Sequence, residues 1–109
     1  MFKVIFYETA RSNKILLNFI KSFSAEDKRV IGGDLYAVQI GFPMGLPLCD
    51  HLEGSLWEVR SSLPSKREVR FIFFQREDCL VVVHGFIKKV RKTPREEMAL
   101  AIKRMREFE

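Results

Sequence analysis

The chain has 109 residues, of which 47% are hydrophobic, and this is enough for one domain, residues 1–109, with a buried core. Its formal net charge is +5 and is unevenly distributed, because residues 1–59 carry a net charge of −1 and residues 60–109 one of +6. The basic second half favours a polyanionic partner over a merely solvated surface. The composition excludes a membrane span, a secretory signal and a disulfide framework, so we expect a cytoplasmic protein with free thiols at Cys49 and Cys79.

The first half of the chain is predicted to form one strand and two helices. Residues 2–7 are rich in aromatic and β-branched side chains, which is typical of a strand. Apolar residues recur at helical spacing over 15–23, and Ser12 precedes this run as a candidate N-cap. Ser24 opens the capping signal SAED and predicts the start of a second helix, which would contain two glycines.

The second half is predicted to form a loop, three strands and a final helix. Residues 42–54 are punctuated by Pro and Gly and indicate an ordered loop. The segments SLWEVRS, REVRFIFFQ and CLVVVHGFI follow with short polar separators, which favours an antiparallel meander. Thr93 as N-cap and Pro94 at the first helical position predict the last helix. The order β-α-α-β-β-β-α predicts an α+β fold, with a small curved, mainly antiparallel sheet and helices packed on one face.

Alternation along the three strands predicts one apolar face under the helices and one mixed, open face. Arginine suits phosphate because its planar fork donates two parallel hydrogen bonds, and aromatic rings can stack on bases. The mixed face therefore indicates RNA binding, although it suits protein docking equally well. Its predicted members are Leu56, Glu58, Arg60, Glu68, Arg70, Ile72, Phe74, Leu80, Val82, His84 and Phe86.

Three motifs occur in order along roughly the last 60 residues: HLEGSLWEVR, REVRFIFF and VVVHGFIKKVRKTPREEMALAIKR. Together they resemble the RelE/ParE toxin superfamily and look most like its HigB-like, phage-derived branch. The resemblance implies a RelE-like fold and the toxin of a type II toxin–antitoxin system. Such a toxin is a ribosome-dependent mRNA endoribonuclease, uses no metal or other cofactor, and is neutralised by a helix-turn-helix antitoxin. The implied partners are the antitoxin, the ribosome and mRNA.

In the chemistry that the resemblance implies, the RNA 2′-hydroxyl attacks the adjacent phosphate, and the protein stabilises the added negative charge. Arg70 matches the family's phosphate-binding arginine, so Arg70→Ala is expected to abolish toxicity without unfolding the chain. His84 would serve proton transfer, although a histidine in a sheet is more often structural. The full predicted catalytic set is Arg60, Arg70, His84 and Lys89, and the predicted RNA-binding set is Arg67, Lys88, Arg91 and Lys92.

The sequence also departs from the RelE pattern. Glu58 and Arg95 stand where RelE has a strand lysine and a tyrosine of the last helix, so the general base is unassigned. Arg60 has a further reading as a simple ion-pair partner of Glu58. Two other functions therefore stay open: a ParE-like, non-catalytic inhibitor of DNA gyrase, and an inactive phage-derived relative that only binds its antitoxin.

Overall fold

The computed structural model describes residues 1–109 and has three helices and one five-stranded sheet. The α+β class predicted from the sequence is confirmed. None of the three helices is long and apolar enough to cross a membrane. The elements follow in the order β1 (Lys3–Phe6), α1 (Ile15–Lys21), α2 (Ala25–Gly41), β2 (Cys49–His51), β3 (Trp57–Ser62), β4 (Glu68–Arg76), β5 (Cys79–Ile87) and α3 (Arg95–Arg106).

The sheet has the strand order β1-β5-β4-β3-β2. Only β1 and β5 are parallel, so the prediction of a mainly antiparallel sheet is confirmed, as is the meander from β3 to β5. Strand β2 is new, because residues 42–54 were predicted as loop throughout. It is three residues long and pairs with β3, with Cys49 opposite Val59. Gly54 adopts φ +54° in the connection between them, a conformation that favours glycine.

Of the three N-cap residues predicted from the sequence, one is confirmed and two are wrong. Ser24 caps α2, because its hydroxyl accepts a hydrogen bond from the backbone N–H of Asp27, as predicted. Ser12 does not cap α1; it lies at φ 61°, and the helix begins after Lys14 without a side-chain cap. Thr93 does not cap α3 either, since Pro94 occupies the N-cap position and the Thr93 hydroxyl makes other contacts.

A β-bulge in β5 changes which side chains share a face. Ile72 pairs with His84 and Phe73 pairs with Val82, so β5 carries one extra residue, Val83, at this point. Leu80 and Val82 therefore face the opposite way from His84 and Phe86, and the prediction that these four share one face is wrong. Simple alternation fails here because an inserted residue inverts the direction of every side chain beyond it.

Helices cover both faces of the sheet, so the prediction that they pack on one face is wrong. Helix α2 packs on the side of Val59 and Phe73, where Leu35 and Val38 complete the apolar layer. Helix α3 lies on the other side, where the ring of Phe108, just beyond its end, contacts that of Phe74 at 5.6 Å. The mixed face is therefore not open, because the amphipathic last helix finds its apolar partners there.

The two cysteines are free thiols, as predicted. Cys49 lies in the core at the start of β2, and burial raises the pKa of its thiol to about 11. At neutral pH the thiol is therefore protonated, which makes Cys49 a packing residue rather than a nucleophile.

Asp27 in the first turn of α2 fastens this helix to the turn between β3 and β4. Its carboxylate accepts hydrogen bonds from the backbone N–H of Ser65, at 3.2 Å, and from Arg67, at 3.4 Å. Hydrogen bonding by Ser65, followed by that of Arg67 and its charge, lowers the pKa of Asp27 below its usual 3.8. Arg67 also lies over the ring of Phe23 at 5.1 Å, so it is anchored on the α2 side of the sheet.

Asp27→Asn is expected to lower the urea midpoint of unfolding at neutral pH, because the amide loses the charge that Arg67 contacts. A carboxylate with a lowered folded pKa stabilises the protein above the unfolded value and loses this effect as the pH falls through the folded value. The difference between the two proteins should therefore be full above about pH 5 and shrink progressively as the pH falls below the usual pKa of 3.8 and through the lowered folded pKa. Urea unfolding at several pH values measures it, and a difference that persists unchanged at low pH contradicts this role.

Candidate nucleic-acid interface and cleavage site

A row of alternating charges crosses the α3 side of the sheet from β2 to the end of β5. Each step is an ion pair with a nitrogen-to-oxygen distance between 2.9 and 4.0 Å. Arg60 on β3 lies directly opposite Arg70 on β4. Both side chains contact Glu58, so a carboxylate separates the two positive charges. In spatial order its members are Asp50, Arg60, Glu58, Arg70, Glu68 and Lys88.

Arg70 is the centre of this row and is 1% exposed. Its Nε donates to Glu68 at 2.9 Å, and one terminal nitrogen lies 3.7 Å from Glu58. The same guanidinium donates to the carbonyl oxygen of Arg91 at 2.9 Å and to the Thr93 hydroxyl at 3.4 Å. Arg70 is thus occupied by protein groups, and the expectation that it projects from an open face is wrong. Its catalytic role stays a prediction that this geometry does not favour.

Three other residues of the mixed face are also engaged in the fold. Arg60 donates to Glu58 and to Asp50, both at 3.0 Å, which matches its reading as an ion-pair partner. Phe74 and Phe86 are both buried, so neither presents a free ring to a base, as the sequence had suggested. Phe86 instead lies parallel to the His84 ring, with centroids 5.6 Å apart.

Three exposed cations without a carboxylate partner lie in the segment that joins β5 to α3. We call residues 88–92 the basic segment. Lys89, Arg91 and Lys92 are exposed, and no carboxylate oxygen lies within 4.0 Å of their side-chain nitrogens. Lys88 is only partly exposed and lies 4.0 Å from Glu68. The structure therefore places two predicted RNA-binding residues, Arg91 and Lys92, and the predicted catalytic Lys89 where a phosphate has access to them.

A cleft with a volume of about 590 Å³ opens beside the basic segment, between α1, the end of β5 and the start of α3. It contains two of the predicted catalytic residues, together with two carboxylates that were not predicted. Gly85 forms part of its floor, where a Cβ would meet the Phe71 ring at 2.8 Å and the Phe19 ring at 3.2 Å. The remaining lining residues are His84, Phe86, Ile87, Lys89, Pro94, Glu96 and Glu97.

His84 is held between a carboxylate and a guanidinium. Its Nε2 lies 2.9 Å from Glu97 Oε1, and its Nδ1 lies 3.4 Å from a terminal nitrogen of Arg104. Because a guanidinium can only donate, this contact assigns the lone pair to Nδ1 and the proton to Nε2, which donates to Glu97. Arg104 also donates to the carbonyl oxygen of Val83 at 2.8 Å. Both ring nitrogens are therefore engaged, while the Glu97 side chain keeps 28% exposure in the cleft.

Arg67 and the basic segment lie at the same end of the sheet. The backbone N–H of Lys88 donates to the carbonyl oxygen of Glu68, at the start of β4, next to the turn that carries Arg67. Arg67 remains 45% exposed although it contacts Asp27. This end of the sheet is therefore basic in three dimensions, as the charge of the second half predicted.

Glu96 and Glu97 are the site residues that sequence reasoning missed. Acidic residues are favoured in a first helical turn, so the pair has an ordinary local role at the start of α3. Their approach to His84 depends on α3 lying on the mixed face, which alternation alone does not reveal. An acidic pair that begins a helix directly after a basic run is the one signal in the sequence that pointed to them.

One comparison with known families gives a match. A family model described as "Phage derived protein Gp49-like (DUF891)" matches residues 18–106, which include the end of α1 and all of α2, β2 to β5 and α3. No curated protein matches the chain.

Arg70→Ala is expected to lower the free energy of unfolding by about 3–5 kcal/mol, because the fully buried Glu58 keeps only Arg60 as a cationic partner and Glu68 loses its 2.9 Å ion pair. This reverses the expectation from the sequence that the variant stays folded and simply loses activity. The matched control is Arg91→Ala, which removes an exposed side chain and should change stability by less than about 0.5 kcal/mol. Urea unfolding measures both, and equal stabilities would contradict the structural role of Arg70.

Proposed function

The chain belongs to the Gp49-like family of phage-derived proteins, a family of RelE/HigB-like toxins, and we propose that it is the toxin of a toxin–antitoxin system that cleaves ribosome-bound mRNA. The observation that carries this proposal is the pairing of free cations with a cleft. Lys89 lines a cavity that contains a His–Glu pair, and the exposed Arg91 and Lys92 follow it in the same connecting segment. The cations suit the RNA backbone, and the pair suits proton transfer.

The proposed reaction is metal-independent attack of the 2′-hydroxyl on the adjacent phosphate. Glu97 takes the hydroxyl proton, since its carboxylate is the exposed member of the pair and His84 orients it through the 2.9 Å hydrogen bond. The bond between phosphorus and the 5′-oxygen breaks and the departing oxygen takes a proton from solvent water, leaving a 2′,3′-cyclic phosphate and a 5′-hydroxyl. Lys89 lines the same cleft and offsets the charge that develops on the phosphate. In this proposal Arg60 and Arg70 shape the site and do not touch the RNA.

The proposed regulator is an antitoxin that covers the basic segment. An acidic or helical protein element on this surface would remove the phosphate contacts and close the cleft. Because a ligand that binds only the folded state stabilises it by mass action, the complex is expected to melt at a higher temperature than the free chain.

Glu97→Gln is expected to lower the rate of mRNA cleavage by about 10²–10⁴-fold, the usual contribution of a positioned general base. Lys89→Ala is expected to lower it by about 10²–10³-fold, since one charge-stabilising donor is lost. The measurement uses purified ribosomes programmed with a defined message and maps the new 5′ ends and the cyclic phosphate. Intact message with the wild-type protein would contradict the nuclease proposal, and full activity of Glu97→Gln would contradict the assigned base.

Removal of the three free cations of the basic segment tests the RNA interface. The triple variant Lys89→Ala, Arg91→Ala, Lys92→Ala should bind single-stranded RNA more weakly and with a flatter salt dependence, the slope changing by about 0.7 for each lost phosphate contact. The matched control removes three exposed cations elsewhere: Lys21, Lys28 and Arg29. Affinity measured at several salt concentrations separates the two surfaces, and equal slopes in the two variants would contradict the interface.

A second function, non-catalytic inhibition of DNA gyrase, is favoured by one observation. Arg60 and Arg70, the arginines that match best the phosphate-binding role, are occupied by carboxylates. The same basic segment would then bind a protein surface. Loss of gyrase supercoiling activity with the purified chain, with transcripts left intact, supports this function and contradicts the nuclease.

A further inference from the structure

We infer that Arg70, Glu58 and Thr93 act as positioning residues that hold the basic segment in place, an inference that rests on the proposed function for its consequence for RNA. The basic segment carries the cations but has little structure of its own. From Lys89 to Thr93 no backbone group takes part in a backbone–backbone hydrogen bond. Its hold on the sheet therefore has to come from side chains.

Three side-chain hydrogen bonds supply this hold. Arg70 donates to the carbonyl oxygen of Arg91 at 2.9 Å and to the Thr93 hydroxyl at 3.4 Å. The Thr93 hydroxyl in turn donates to Glu58 Oε1 at 2.9 Å. These bonds reach the segment from beneath, from residues of β3 and β4 that are at most 1% exposed. Thr93 thus links the basic segment to the buried residues of the sheet. It is neither one of the exposed cations nor a member of the His–Glu pair.

The buried position of Glu58 makes its hydrogen bond to Thr93 costly to break. Glu58 is 0% exposed, and an ionised carboxylate at such a depth requires its partners, because an unpaired buried charge is costly. Any displacement of the segment that breaks the Thr93 contact removes one donor from Glu58. The segment is thereby restrained even though Lys89, Arg91 and Lys92 face solvent. Cations that are already ordered lose less freedom when a phosphate binds, which favours binding.

Limited proteolysis with trypsin tests the hold without using RNA cleavage, since the segment from Lys88 to Arg95 is rich in trypsin sites. The test variant is Thr93→Val, which keeps the branched shape and removes the hydroxyl, and the rescue variant is Thr93→Ser, which restores it. Arg70→Ala is not used, because the loss of global stability expected of it would accelerate cleavage throughout the chain. Thr93→Val is expected to be cleaved within this segment roughly tenfold faster than wild type, and Thr93→Ser at nearly the wild-type rate.

Three outcomes would overturn the inference or its link to RNA. Unchanged cleavage of the segment in Thr93→Val overturns the hold. Equal acceleration at Lys103 and in the segment, with a matching fall in the urea midpoint, shows a global effect and also overturns it. Addition of a short single-stranded RNA should slow cleavage of the segment in wild type, because binding favours the held state. The third outcome is that RNA leaves the cleavage rate of the wild-type segment unchanged while Thr93→Val is still cleaved faster than Thr93→Ser. This result supports the positioning role and contradicts the proposed RNA function.

Discussion

The fully buried carboxylate of Glu58 is the constraint on which much of the site depends. A charge at that depth has to be paired, and its partners come from three parts of the chain: Arg60 on its own strand, Arg70 on β4, and Thr93 before α3. Satisfying it therefore fixes the neighbouring strand and the entry to the last helix at the same time. The other carboxylates of the row, Asp50 and Glu68, extend the same alternation outward to β2 and to Lys88.

This arrangement divides the basic residues into two kinds. Arg60, Arg70 and Arg67 are paired with carboxylates, and their charge serves mainly to keep strands and helices in register. Lys89, Arg91 and Lys92 have no such partner and supply the net positive field at that end of the sheet. The distinction matters for function, because a charge that is already neutralised by the fold contributes little to the attraction of a polyanion. Three unpaired cations of the second half thus lie within four consecutive residues of one connecting segment.

The cleft lies where β5 and α3 meet, and each element contributes one residue of the His–Glu pair. Strand β5 brings His84 beyond its bulge, and the first turn of α3 brings Glu97 against it. Gly85 leaves room for Phe19 to close one wall from α1. A nuclease and a protein-binding inhibitor can share this framework, since the fold specifies where the residues lie and the substrate contacts decide the activity. The family match covers β5 and α3, which supply the His–Glu pair, so this part of the framework belongs to the family.

The sequence by itself determined the α+β class, the meander, the Ser24 cap and the concentration of charge in the second half. These features follow from local periodicity, capping chemistry and composition, which act over a few residues. The tertiary structure alone decided that α3 covers the mixed face, that Val83 forms a bulge, and that Arg70 is buried while Lys89 is free. Alternation shows which residues share a face, but not which element packs on it, and a single extra residue inverts the pattern. The identity of the exposed cations thus depends on contacts between residues far apart in the chain.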